Sequence, residues 1–177
     1  MERHVLILGA GSNKDLRAPT PLAHISPKIT TLDIEARHKP DVLWDLNVVP
    51  WPFDDESFDE VHAYEVLEHL GTQGDAVSFF AHFGEIYRIL KPLGYLAGSC
   101  PRADSMWAWG DPSHRRVINE GSFTFLDQTQ YAKQVGVTTM TDFRSIWKGD
   151  FETDPAFLYR TPDQLYFVLK AHKPARA

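Results

Sequence analysis

A chain of 177 residues, 43% hydrophobic and 24% charged, has the composition of an ordinary globular protein and the length of one domain that can bury a continuous core without disulfides or metals. Its formal net charge of −6 excludes a broad, non-specific grip on nucleic acid, which runs on phosphate neutralisation by Lys and Arg. The longest apolar runs, Val5-Leu6-Ile7-Leu8 and Val66-Leu67, are too short to span a bilayer. The first residues lack the apolar length and cleavage pattern of a signal peptide, so a cytoplasmic location is expected. The single cysteine, Cys100, cannot staple the fold and reads as a buried, inert thiol.

In chain order, residues 4–8 read as a buried strand ending in a glycine turn, residues 29–32 as a second strand ending at Asp33, and residues 42–44 as a third ending at Asp45. Residues 59–63 make a fourth strand and residues 75–90 an amphipathic helix closed by Lys91-Pro92, because the residue before a proline leaves the helical region. Residues 94–99 are a fifth strand. After a long irregular stretch, residues 123–134 are expected to be helical, residues 141–147 extended, and residues 165–172 a last strand. Strands alternating with crossovers, in buried runs of Val, Ile and Leu, imply an α/β fold with a doubly wound, mostly parallel, seven-stranded sheet and an antiparallel C-terminal edge. No repeat or linker divides the chain, so residues 1–177 form a single domain.

Pro19, Pro21 and Pro27 exclude a full crossover helix between Gly11 and Asp33, and the stretch from Asp33 to Val42 has room for none. One flank of the sheet is therefore short of helices. Parallel sheets need both faces buried, so either a second copy, in a homo-oligomer, or the chain's own loops must cover it.

The chemistry-bearing residues begin where the first strand, ending at Leu8, runs into Gly9-Ala10-Gly11-Ser12. Open α/β sheets bind ligands at this carboxyl edge, and glycine at positions 9 and 11 removes the Cβ atoms that would keep a ligand off the backbone and permits positive φ. A plain structural turn is the alternative. Asp33 lies 22 positions after Gly11, near the roughly 20-residue spacing at which an acidic side chain accepts hydrogen bonds from ribose hydroxyls. Asp45 ends the third strand, where it could face an adenine edge. Glu65, Glu68 and His69 are expected on one face of a helical turn, either holding a divalent ion or capping and lining a pocket. In the stretch 101–114, Trp107 and Trp109 are placed to stack on a substrate ring or to cover the thin flank, and loops at this edge carry function.

The run Pro52-Phe53-Asp54, Ser57-Phe58-Asp59, Val61, then Val66-Leu67-Glu68-His69-Leu70, followed by Glu85, Arg88-Ile89-Leu90-Lys91-Pro92 and Gly94, resembles the class I S-adenosylmethionine-dependent methyltransferases of the methyltransferase-11 type. With the glycine loop the matches span residues 4–100. Leu93 departs from the family, standing where it carries the first glycine of a Pro-Gly-Gly turn. The resemblance implies a Rossmann-like methyltransferase fold, with a cofactor half of about residues 1–100 and a substrate-loop and C-terminal half of about 101–177. It implies S-adenosylmethionine as cofactor and S-adenosylhomocysteine as product. It puts the methionine moiety on Leu8, Gly9, Ala10, Gly11 and Ser12, the ribose on Asp33, the adenine on Ile34 with its amine near Asp45 and Leu46, and Tyr64 and Glu65 beside the sulfonium. The Glu-x-x-Glu-His spacing also resembles the metal sites of the ubiquinone-pathway O-methyltransferases and small-RNA 2′-O-methyltransferases, the latter adding a downstream histidine. Carried over, this implies a divalent metal on Glu65, Glu68, His69 and His114, with His69 or His114 as catalytic base.

The expected function is methyl transfer to a small-molecule or polymer acceptor, at an oxygen, nitrogen or carbon atom. Two alternatives stand beside it. A catalytically silent cofactor-binding or scaffold protein would share the fold. A nicotinamide-dependent oxidoreductase fits less well, since Lys14 takes the place of the third fingerprint glycine and no catalytic domain follows.

Overall fold

The computed structural model describes residues 2–176. Val5 to Leu8 are buried on both faces in the strand β1 (Arg3–Leu8), as a central parallel strand requires. Around it lie β2 (Pro27–Asp33), β3 (Val42–Leu43), β4 (Phe58–Tyr64), the helix α1 (Ala76–Ile89) and β5 (Leu90–Pro101). There follow the short helices α2 (Trp107–Gly110), α3 (Glu120–Thr124) and α4 (Gln128–Gln134), then β6 (Phe151–Thr153), β7 (Tyr159–Arg160) and β8 (Gln164–Ala171). The sheet order is β3-β2-β1-β4-β5-β8-β6, with β7 pairing β8 beside β6. β3, β2, β1, β4 and β5 run parallel. β8 is antiparallel to β5, β6 and β7. The doubly wound expectation with an antiparallel edge holds, β7 being a two-residue addition to the seven strands. Among the described residues no helix is long and apolar enough to cross a membrane.

Registry levels the carboxyl ends. Leu8 stands opposite Leu32 and Ala63, and Tyr64 opposite Ser99, so the residues that follow, Gly9, Asp33, Glu65 and Cys100, share one edge. α1 is capped by the Asp75 carboxylate, which accepts from the Ser78 N–H at 3.0 Å. It buries Phe80, Phe83, Ile86 and Ile89 on one face of the sheet. Cys100 is fully buried there, and burial pushes its thiol far up.

The opposite face is covered by the chain itself. In place of a crossover helix, the loop 13–26 seats Ala18 and Thr20 against the sheet. The Tyr64 hydroxyl accepts from the Arg17 and Ala18 N–H groups at 2.8 and 2.9 Å and donates to His62 Nδ1 at 2.6 Å. His62 Nε2 then meets the Glu60 carboxylate at 2.9 Å, which also accepts from Arg3 Nη1 at 2.8 Å and from the Thr20 hydroxyl. Every side chain in this chain of bonds is buried.

Two expected elements differ. Residues 123–134 are not one helix. The segment breaks between α3 and α4 because Asp127 caps the second helix through the Thr129 N–H at 2.8 Å, while the Leu126 carbonyl accepts from Trp147 Nε1 at 3.1 Å and Phe151 N at 2.9 Å. Residues 141–147 are not extended. The Phe143 carbonyl accepts from Ile146 and Trp147 in a turn, and Phe143 and Trp147 pack on Phe80 of α1, ring centroids 5.2 and 5.5 Å away. The alternation of apolar residues there serves aromatic packing, and the edge is built instead by β6 and β7.

Candidate functional site

The glycine turn is held open by backbone conformation and by one carboxylate. Gly9 and Gly11 have φ of 54° and 57°, in the left-handed region where only glycine sits without cost. A Cβ at Gly9 would come within 2.6 Å of Val66 Cγ2, so the turn packs against the segment after β4. Asp33, at the end of β2, accepts from the Gly11 N–H and from the Glu35 N–H, both at 2.7 Å, with His38 Nδ1 at 3.4 Å. Burial works to raise its pKa, but the Glu35 and Gly11 donors together with His38 outweigh that and hold it below the usual carboxylate value. Leu8 and Ala10 are buried and Ser12 is exposed. Of Leu8, only the backbone reaches the edge.

Beside Asp33 lies a shallow groove of about 250 Å3 lined by Ile34, Leu43, Trp44, Asp45 and Val48. Ile34 is 66% exposed and Leu43 56%, apolar surface left open at a strand edge. Asp45 Oδ1 accepts from the Asn47 N–H at 2.9 Å. Leu46 is buried and its carbonyl accepts from Trp51 Nε1 at 3.0 Å, so its side chain does not line the groove.

Past β4 the chain does not continue as a regular helical turn. Glu65 has φ 54° and Val66 φ −134°, and only Leu67–His69 forms a 3-10 turn. Glu65 therefore parts from Glu68 and His69, correcting the expectation of one shared face. Its carboxylate accepts from Ser99 Oγ at 2.6 Å and borders a second groove, of about 340 Å3, with Pro101, Trp107, Thr161, Asp163 and Gln164. Tyr64 is likewise turned away: its hydroxyl serves the loop 13–26 on the covered face, so its side chain lines no pocket at this edge.

Glu68, His69 and His114 come together, each offering a ligand atom within 4.8 Å of the others. Glu65 is outside this group. The His69 and His114 rings meet edge to face at 4.7 Å between centroids. Burial, then the neighbouring His114, lowers the His69 pKa, which favours the neutral imidazole. Glu68 is 1% exposed, and neither carboxylate oxygen has a hydrogen-bond partner. Burial, with Glu65 and Asp111 nearby, pushes its carboxyl up to about 8. Two buried acceptors facing a pair of histidines suit a divalent cation, which would supply the missing partner.

Leu43, Val48, Thr161, Asp163 and Gln164 carry no motif, and sequence reasoning missed them. They reach the two grooves only because β3 and β8 place them there. Glu60 and His62 did carry a signal: Glu60-Val61-His62-Ala63-Tyr64 alternates polar and apolar inside a strand that parallel pairing buries on both faces.

A family model described as a methyltransferase domain matches residues 10–98. No curated protein gives a significant sequence match. Among solved structures, the chain resembles the methyltransferase in a complex with the Trm112 methyltransferase activator of Haloferax volcanii, at 19% identity over 96% of this chain and 83% of that one, TM-score 0.57. It also resembles a SAM-dependent methyltransferase from Archaeoglobus fulgidus, at 15% identity over 95% and 86%, TM-score 0.56. A third is the 1,6-didemethyltoxoflavin-N1-methyltransferase of Burkholderia thailandensis with bound 1,6-didemethyltoxoflavin and S-adenosylhomocysteine, at 15% identity over 96% and 71%, TM-score 0.54. At these identities the likeness is one of fold.

Proposed function

The chain belongs to the methyltransferase-domain family of S-adenosylmethionine-dependent enzymes, and from that footing we propose that it transfers the cofactor's methyl group to an acceptor seated beside Glu65, releasing S-adenosylhomocysteine. The observation that carries this reading is the glycine turn tied to Asp33 at the carboxyl edge, with an open apolar groove next to it. Leu8, Gly9, Ala10, Gly11 and Ser12 would hold the methionine moiety. Asp33, whose oxygens each accept one backbone N–H and have a further lone pair, would accept from the ribose hydroxyls. Ile34 would carry the adenine, with Asp45 and the Leu46 backbone at its amino edge.

The cofactor would take the ends of β1, β2 and β3, leaving the groove over β4, β5 and β8 to the acceptor. When bound, the cofactor would supply an electrophilic methyl on a sulfonium, which an acceptor atom held in line would take with the electron pair of the broken carbon–sulfur bond left on a neutral thioether. An acceptor proton, where one is lost and no ion occupies the two histidines, passes to His69 or His114. The chain contributes mostly position and the exclusion of water. Glu68, His69 and His114 would hold a divalent ion, which supplies polarisation of an acceptor hydroxyl and a lower pKa for it.

Calorimetric titration with S-adenosylhomocysteine tests the reading. Saturable binding is expected, weakened on the order of tenfold to a hundredfold by Asp33→Ala, which removes the ribose acceptor and unties the turn. A wild-type protein that binds neither S-adenosylmethionine nor its product would overturn it.

A further inference from the structure

A cavity of about 370 Å3 lies apart from both grooves, between the first turn of α1 and the segment that runs from Arg116 into α3. Its walls include Phe79, Phe80, Phe125 and Phe143, with Phe80 and Phe143 centroids 5.2 Å apart and Phe125 and Phe143 5.7 Å apart. Its polar end is Arg116, only 6% exposed. Arg116 Nε donates to the Leu70 carbonyl at 2.8 Å, and Nη2 donates to the Thr72 carbonyl at 3.2 Å and Ser78 Oγ at 2.9 Å. All three acceptors are neutral. Among the described residues Arg116 makes no salt bridge, and its Nη1 donates to no acceptor. Asp75, the carboxylate at the cavity rim, is exposed and caps α1, and its charge reaches Arg116 only through space, without a salt bridge. The guanidinium already lies over the Phe79 ring, 5.4 Å from its centroid.

A buried cation with a spare donor is costly unless a counter-charge meets it. Here Arg116 borders a mostly apolar pocket with four phenyl rings in its wall, of a volume ordinary for small-molecule sites. We propose that this cavity binds a small planar aromatic carboxylate, its ring among the phenylalanines and its carboxylate on Arg116 Nη1. The carboxylate supplies a direct ion pair and a charge-assisted bond, and the ring fills space that water occupies poorly. A neutral ligand of the same shape leaves Nη1 desolvated and unpaired, and a cationic one is repelled. The site is distinct from the methyl-transfer centre and does not depend on that assignment.

The test is titration of the 15N-labelled full chain with 1-naphthoate, 1-naphthamide and 1-naphthylmethylamine, followed by backbone amide shifts. Naphthoate is expected to shift Gly74, Val117, Gly121 and Ser122 saturably while leaving Gly9, Gly11 and Glu35 in place. The amide and the amine are expected to bind about tenfold more weakly or worse. Ala76→Phe fills the cavity from the first residue of α1 without touching the bonds of Arg116. It should abolish the naphthoate shifts while S-adenosylhomocysteine binding persists. Equal binding of naphthoate and naphthamide, shifts elsewhere, none up to roughly 1 mM, or naphthoate binding retained in a folded Ala76→Phe protein each overturns the proposal. Should that variant not fold, the wild-type comparison of the three probes decides alone.

Discussion

Leu93 holds φ 63° at the position where the family carries glycine, and its side chain is 52% exposed. A left-handed backbone costs a branched residue about 1–2 kcal/mol, and little packing offsets it at such exposure. Leu93→Gly is therefore expected to stabilise the protein by about 0.5–1 kcal/mol after the extra chain entropy of glycine is counted, read as a rise in the urea midpoint at unchanged slope. Glu68 presents the opposite case, a residue that the packing alone does not reward. Replacing its unpartnered buried carboxyl by the similarly sized Met is expected to raise the stability of the metal-free protein by about 1–3 kcal/mol. Mn2+ is expected to raise the melting temperature of the wild type and to leave that of Glu68→Met unchanged. A Glu68→Met protein that still responds to Mn2+ would take Glu68 out of the ligand set.

At the scale of elements, the loop 13–26 does the work of a helix. An α-helix would cover the β1–β4 face with apolar side chains. This loop, interrupted by Pro19 and Pro21, instead brings backbone N–H groups that need acceptors, and the Tyr64 hydroxyl provides one for two of them. Tyr64→Phe should cost about 1–3 kcal/mol and speed amide hydrogen exchange across the loop while exchange in α1 keeps pace only with global unfolding. Unchanged loop protection would show that the hydroxyl is dispensable. The Glu85 and Arg88 positions of the family pattern are also explained here. Arg88 Nη1 donates to the Phe53 carbonyl at 2.7 Å and Nη2 to the Trp51 carbonyl at 3.1 Å, while Glu85 accepts from the Trp51 N–H at 2.6 Å. The motif latches the turn before β4 onto α1.

Across the whole molecule, acid stability follows from which groups the fold holds away from their usual ionisation. Asp33, Glu60 and Asp150 are buried, which by itself raises their pKa values, yet hydrogen bonds and neighbouring cations leave all three depressed. Their contribution is fully present above the unfolded carboxylate values of about 4 and is lost as pH falls through the depressed folded values. His82 adds an earlier step. It is buried, its Nδ1 lacks a partner, and burial followed by the charge of Arg116 lowers its pKa against the weaker pull of Asp75 and Asp45. The unfolded chain takes up that proton near pH 6.5 and the folded chain resists it, so stability drains below that pH. Urea titrations of wild type and His82→Leu should therefore diverge as pH drops below about 6.5, the wild type losing more. The raised carboxyl of Glu68 acts alike in both proteins and cancels in the difference. Parallel curves would show that His82 ionises as freely in the folded state.

The order of short strands, the glycine turn, Asp33 at its spacing and the missing first crossover were all legible in the sequence, because strand periodicity, φ demands and proline chemistry are local properties of the chain. Tertiary structure alone decided what covers the helix-poor face, since Tyr64 meets Arg17 and Ala18 across 47 and 46 positions. It also decided that Glu65 leaves the Glu68, His69 and His114 group. A positive φ at one residue turns its side chain away from neighbours that a helical turn would have kept beside it. The break at Leu126 has the same origin: its carbonyl is claimed by Trp147, 21 residues on. Hydrogen bonds and ring packing between distant segments cannot be read from local pattern, and they are what set the final placement of the site.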